Sequence, residues 1–152
     1  MIYSSFQQGA AKKYKITKNY LGFWSEPVNL GPNINSPNNE KSPFLHPDGK
    51  TLYFASDNFP SLGGYDIFIS KKDSLNKWQK SKNIGFPINT SYNEISLFVT
   101  TDGKKAIFAS NNLEGIGGWD MYSFDLYDEI KPERVLFIKG DVYDEQGQMI
   151  ND

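Results

Sequence analysis

Three sets of residues in this chain have types and spacings from which chemistry could be built. His46 is the only histidine, so a Ser-His-Asp triad would have to form around it. The residue 54 positions later is Thr100, and the sequence contains no G-x-S-x-G nucleophile elbow. Beside Pro47-Asp48-Gly49, a lone histidine reads as a turn or strand-end residue. Glu40 and Glu94 form the second set, two carboxylates of the kind that glycoside hydrolysis needs. Each closes an Asn-x3-Asn-Glu stretch, Asn35 to Glu40 and Asn89 to Glu94, whereas an acid and a nucleophile require different surroundings. They read as braces at a strand start, with ligand-facing or cation-binding roles as the alternative. The third set is GGYDIFIS at 63–70 and GGWDMYSF at 117–124. Phosphate-cradling glycines lead into a helix N-terminus, but here Gly63-Gly64 and Gly117-Gly118 lead into strand-like segments. The glycines therefore read as structural turns, and Asp66 and Asp120 as internal hydrogen-bonding braces.

Composition narrows the choice further. Cysteine is absent, which removes disulfides, thiol nucleophiles and thiolate metal sites. Asp141, Asp144 and Gly147 do not meet the EF-hand spacing. No cofactor or metal is expected. Net charge is −2 with scattered charges, and the one basic cluster, Lys12, Lys13, Lys15 and Lys18, reads as the solvent face of a strand. Nucleic-acid binding, which draws its affinity from a broad basic surface, is not expected. The longest purely aliphatic or aromatic run, Val135 to Ile138, is too short to cross a bilayer, and no signal peptide is visible at the start. Aromatics make up 15% of the residues, beside 13 Gly and 8 Pro, which suggests an all-β protein.

An internal repeat organises these residues. Sliding the sequence by 54 positions aligns residues 23–70 with 77–124 without a gap, and 19 of those 48 positions are identical. The pairs include Trp24/Trp78, Asn35/Asn89, Asn39/Asn93, Glu40/Glu94, Asp48/Asp102, Gly49/Gly103, Gly63/Gly117, Gly64/Gly118 and Asp66/Asp120. A weaker earlier copy aligns Tyr14 with Phe68 and Leu21 with Leu75. The complete unit predicts four strands, near 42–46, 51–57, 65–71 and 78–84. Asp48-Gly49 and Asp102-Gly103 supply hairpin turns, Asp by bonding its own backbone and Gly by taking the left-handed conformation. The second strand is apolar on both sides, Leu52 and Phe54 alternating with Tyr53 and Ala55. Such strands fit sheets stacked face to face rather than a sheet with one wet face.

Four short strands in a unit of this length, with aromatic-Asp punctuation, point to β-propeller blades. NEKSPFLHPDGKTLYFASDNFPSLGGYDIFIS resembles the WD-repeat-like blades of the TolB and PD type. The second copy departs at Leu97 for Pro43 and at Ala106-Ile107 for Leu52-Tyr53. On this reading residues 1–133 are a partial propeller of about three incomplete blades. Residues 134–152, with Gly140, Val142, Asp144, Gly147 and Ile150, resemble the first hairpin of a carboxypeptidase-regulatory-like β-sandwich. A closed propeller takes about four to eight blades, so the chain is expected to be part of a larger protein, or else to assemble a ring from several copies. Alone it is expected to be marginally stable or to self-associate.

The combination is similar to multidomain OmpA-family envelope proteins of Gram-negative bacteria, which are associated with peptidoglycan. The resemblance implies a non-catalytic scaffold in the periplasm, associated with the outer membrane. Its partners would be proteins, and peptidoglycan or another glycan through the full-length protein. Two other readings compete with it. One is the substrate-gating propeller of a prolyl-oligopeptidase-type peptidase, whose hydrolase domain would carry a nucleophile elbow. The other is a carbohydrate-active propeller, although LHPDGKTLYF and VTTDGKKAIF lack the sialidase Asp-box arrangement.

Overall fold

The computed structural model describes residues 1–7, 10–58, 60–111, 115–137, 141, 146 and 148. These residues form an all-β structure without an α-helix, built from three open antiparallel sheets. The first sheet holds β1 (Ile2–Gln7), β2 (Ala10–Lys15) and β3 (Val28–Asn29). The second holds β4 (Glu40–Leu45), β5 (Thr51–Ser56), β6 (Asp66–Lys71) and β7 (Lys82–Asn83). The third holds β8 (Glu94–Val99), β9 (Lys105–Ser110) and β10 (Asp120–Asp125). Within each sheet every strand pairs with its neighbour in sequence, as short hairpins dictate.

The central sheet is buried on both faces. Leu52, Phe54 and Phe68 join Ile34 in a core toward the first sheet, where Ile2 and Leu30 pack against them. Tyr53, Ile67 and Ile69 join Leu97, Val99 and Phe108 in a second core toward the third sheet. Period-two alternation therefore sends successive residues of β5 into two different cores. Each buried Phe or Leu stabilises the stack by about 1.5–3 kcal/mol.

The fourth strand is shorter than the expected 78–84. Trp78 makes an isolated bridge with Lys72, and pairing with β6 resumes only at Lys82 and Asn83. Between them, the Ser81 N–H donates to the Asn33 carbonyl in the linker before β4, which takes this stretch off the ladder. β4 and β8, the first strands of the second and third sheets, both carry a bulge, with the register shifting between Lys41 and Phe44 and between Ile95 and Phe98. Ser42 and Ser96, at φ 50 and 58, occupy the left-handed region there.

The basic cluster is not a solvent face. Lys15 and Lys18 are exposed, but Lys13 is entirely buried. It occupies the position that Ile67 takes in the next sheet and so points into the core between the first two sheets. Its Nζ donates to Ser4 Oγ at 2.8 Å and lies 5.9 Å from the centre of the Phe54 ring. Lys12 Nζ donates to the carbonyls of Ser36 and Asn38 and lies 3.4 Å from Glu40 Oε2.

After β10 the chain passes through a 3-10 turn at Asp128–Ile130 and crosses the ends of the second and third sheets. Leu126 and Ile130 plug the second core, and the Tyr53 hydroxyl donates to the Ile130 carbonyl. In the proposed sandwich region, residues 134–137 form no strand, while Gly140, Val142, Asp144, Gly147 and Ile150 lie outside the described residues.

Candidate functional site: the joints between the sheets

The linkers before β4 and β8 are each held by their own acid and by the preceding sheet. Glu94 is fully buried, and its carboxylate accepts from the Thr90 N–H at 2.9 Å, Thr90 Oγ1 at 2.7 Å and Ser110 Oγ at 2.7 Å. Glu40 repeats this with the Ser36 N–H, Ser36 Oγ and Ser56 Oγ, and adds Lys12. Such carboxylates have their lone pairs occupied by fixed donors, and that makes them braces.

Two asparagines then fasten each linker to the sheet before it. Asn89 Oδ1 accepts from the Ile67 N–H at 2.8 Å, and its Nδ2 donates to the Ile67 carbonyl at 2.8 Å. Asn35 clamps Lys13 in the same way, at 2.8 and 3.0 Å. Asn93 Oδ1 accepts from the Tyr65 N–H and Asn39 Oδ1 from the Ala11 N–H. An amide carries one acceptor and one donor group side by side, so it can satisfy both backbone groups of a single strand residue.

The glycine pairs belong to the same joints. A Cβ on Gly63 would stand 2.3 Å from the Tyr92 carbonyl oxygen, and one on Gly64 would stand 2.2 Å from Asn93 Oδ1. The Gly64 N–H donates to the Tyr92 carbonyl at 2.8 Å. Asp66 accepts through Oδ2 from the Leu62 N–H and Asn83 Nδ2, both at 2.6 Å, and so ties the loop to β7. In the third copy, Asp120 Oδ2 accepts from the Gly117 N–H at 3.0 Å. There the glycines are open: Gly117 meets only its own loop, and Gly118 has nothing within 4 Å of a built Cβ among the described residues.

The opposite end carries the Asp-Gly turns. Asp48 accepts from the N–H groups of Lys50 and Thr51, Thr51 Oγ1 and the Glu133 N–H. Burial works to raise this carboxyl, but those hydrogen bonds hold it below the ordinary carboxylate range. Asp102 accepts from Thr100 Oγ1 and the Lys104 N–H, which likewise lower it. Gly49 and Gly103 take φ 68 and 69, the left-handed conformation that closes these turns. The segment after β10 is fastened here, through Lys50 Nζ to Glu133 at 2.8 Å and Lys71 Nζ to the Lys131 carbonyl at 2.7 Å. Trp24 and Trp78 sit on the outer loops under Lys18 and Lys72, whose Nζ atoms are 5.9 and 5.0 Å from the ring centres.

His46 is 1% exposed, and its Nδ1 accepts from the Asp48 N–H at 3.2 Å. Its Nε2 and Asp66 Oδ1 have no hydrogen-bond partner among the described residues. Sealed in this way, His46 is out of reach of a substrate. Among the described residues no three His, Asp or Glu side chains are arranged to hold a metal ion.

A cavity of about 180 Å³ opens beside the first joint, between Ser36, Ser56, Asn58 and Lys80 over a floor of Phe54 and Phe68. A smaller one of about 70 Å³ recurs between Thr90, Ser110, Phe108 and Tyr122. Both are below the roughly 300 Å³ at which small-molecule sites begin. Sequence reasoning set Lys12 and Lys13 on a solvent face and missed that Lys13 lies in a core and that Lys12 holds the linker before β4. The signal lay in the alignment, which sets Lys13 opposite Ile67. The chain matches no protein-family model and no curated protein.

Proposed function

We propose that the chain is a segment of a non-catalytic β-propeller, a scaffold within a larger cell-envelope protein that binds protein or glycan partners. The observation that carries this reading is the repeated joint. Both joints between the three sheets use the same Asn clamp and the same carboxylate brace, a scheme that can be extended sheet by sheet. The acids that catalysis would need are used up in holding linkers, which favours a scaffold over a hydrolase. A propeller of this kind would present its loops as a rigid binding face. A periplasmic, outer-membrane-associated location belongs to the proposal through the resemblance to OmpA-family proteins.

The test is electron microscopy of the longer natural protein that contains this segment, together with cell fractionation. A closed ring of blades in the envelope fraction supports the proposal. Two sheets packed as a sandwich, or hydrolysis of peptidyl-proline or ester substrates that is lost in His46→Ala, overturns it.

A further inference from the structure

We propose that the tip of the β2–β3 hairpin is a membrane-docking loop that enters the interface of a bilayer carrying anionic headgroups. The tip is residues 19–24, Asn-Tyr-Leu-Gly-Phe-Trp. Its turn is built from the backbone and a single side chain. The Asn19 N–H donates to the Phe23 carbonyl at 2.9 Å and the Gly22 N–H to the Asn19 carbonyl at 3.0 Å, while Asn19 Oδ1 accepts from the N–H groups of Leu21 and Phe23. Gly22 closes the turn at φ 87. The side chains of Tyr20, Leu21 and Phe23 take no part in these bonds and are 95%, 63% and 68% exposed.

The β6–β7 hairpin shows that this exposure belongs to the loop itself. Its turn repeats the same bonds through Asp73, which accepts from the N–H groups of Leu75 and Lys77. It lies in the central sheet, with a sheet on either side. Even so, Ser74, Leu75 and Lys77, at the positions of Tyr20, Leu21 and Phe23, are all exposed, Leu75 by 73%. A further sheet packed ahead of the first would therefore leave the tip bare. What differs is the chemistry, Tyr20 for Ser74 and Phe23 for Lys77, which turns one exposed leucine into an apolar cluster of the kind that marks an interaction site.

Charge selects the occupant. The two hairpins, residues 15–28 and 72–82, carry Lys15, Lys18, Lys72, Lys77, Lys80 and Lys82 against Glu26 and Asp73. Six lysines against two acids leave +4, in a chain whose net charge is −2. All of these lysines but Lys72 are exposed. Burial, and after it the charge of Lys15, hold the Lys72 amine below its ordinary value against a pull from Asp48, so the lysines of the two hairpins lie close together. Aromatic rings settle at headgroup depth, and a basic collar behind them is drawn to anionic lipid. The tip supplies the first and the paired hairpins supply the second.

The test is flotation of the full chain with vesicles of equal parts phosphatidylglycerol and phosphatidylethanolamine, titrated to give an affinity. Binding should be at least tenfold tighter than to phosphatidylcholine vesicles and should weaken at high salt. Tyr20→Ser/Phe23→Ser should weaken it at least tenfold while leaving the melting curve unchanged, because the turn uses only the backbone of Phe23 and nothing of Tyr20. Tyr20→Ser alone, which borrows the residue of the second hairpin, serves in place of the double variant should that one fail to fold, with a loss of at least threefold. Absence of binding to the anionic vesicles overturns the proposal. So does equal affinity for phosphatidylcholine, or for the variants, since lysines alone would then account for the binding. Sedimentation with peptidoglycan or self-association that the double variant abolishes, without binding to vesicles, gives the tip to a glycan or to a second copy and overturns it as well.

Discussion

Replacing Lys13 by isoleucine should stabilise the chain and remove a specific part of its pH dependence. Lys13 is completely buried, and burial pushes its amine from 10.5 down to about 7, against a smaller upward pull from Glu40. In the unfolded chain the amine keeps its ordinary value, so between about pH 7 and 10.5 the unfolded state binds the extra proton. Stability must then rise with pH through this window and fall as pH drops toward 7, below which both states are protonated and the effect is flat. Each pH unit is worth 1.36 kcal/mol, so the loss at pH 7 amounts to ~4 kcal/mol. That is a large fraction of the stability of an ordinary domain. Isoleucine already fills the equivalent position at Ile67, and the Asn35 clamp uses only the Lys13 backbone, so it survives the change. Urea denaturation of both proteins at intervals from pH 7 to 10 isolates the effect, because the other lysines and tyrosines are common to both. Lys13→Ile should be more stable at pH 7 by ~2–4 kcal/mol, with the gap closing toward pH 10. A constant gap, or a less stable variant at pH 7, would refute the reasoning, and Lys13→Met guards against a misfit of the branched side chain.

Other substitutions probe the joints and the turn. Gly64→Val should unfold or strongly destabilise the chain, by more than ~3 kcal/mol in thermal melts, because its Cβ would collide with Asn93. Gly118→Val should stay within about 0.5 kcal/mol of the parent in the same melts, as expected of a change that meets no neighbour. Asn89→Ala leaves both backbone groups of Ile67 without their side-chain partner and should cost ~2–3 kcal/mol in urea, whereas Asn35→Ala, at a half-buried joint, should cost less. Asp48→Asn should cost ~1–2 kcal/mol at neutral pH. Because the folded carboxyl lies below its ordinary 3.8, that contribution is present above pH 3.8 and is lost as pH falls further, so the variant's acid limb should be flatter.

Much of this fold could be read along the chain. The two apolar faces of β5 announced a sheet with a core on either side, and the Asp-Gly pairs marked the β4–β5 and β8–β9 hairpins. Local chemistry governs those features, so local pattern revealed them. What stayed hidden depends on partners distant in sequence. An asparagine reads as a turn former, and nothing in its type says that Asn89 reaches back to Ile67. A lysine in a strand reads as solvent-facing, and only its alignment with Ile67 hints that Lys13 lies in a core. The fourth strand is shorter than the expected 78–84 because the Ser81 N–H goes to the Asn33 carbonyl, a partner 48 residues away that no local pattern reveals. The crossing at residues 126–133 follows no periodicity, so nothing short of its contacts could reveal it.

Repetition in this chain marks joints, and that bears on where function resides. Asn89, Asn93 and Glu94 recur as Asn35, Asn39 and Glu40 because the neighbouring sheets must meet in the same geometry, and a small shift in one would misplace the rest of the stack. A ligand has no such need to be met identically in each copy. Residues that recognise a partner are therefore better sought where the copies differ while the joint is kept. Lys12 against Asp66 is one such difference, beside a cavity that the third sheet reproduces at less than half the volume. Tyr65 against Trp119 is another, on the loop where the first is engaged by the next sheet and the second is half exposed. Both lie at the loop end, where a scaffold can vary its surface without disturbing the backbone contacts that hold one sheet against the next.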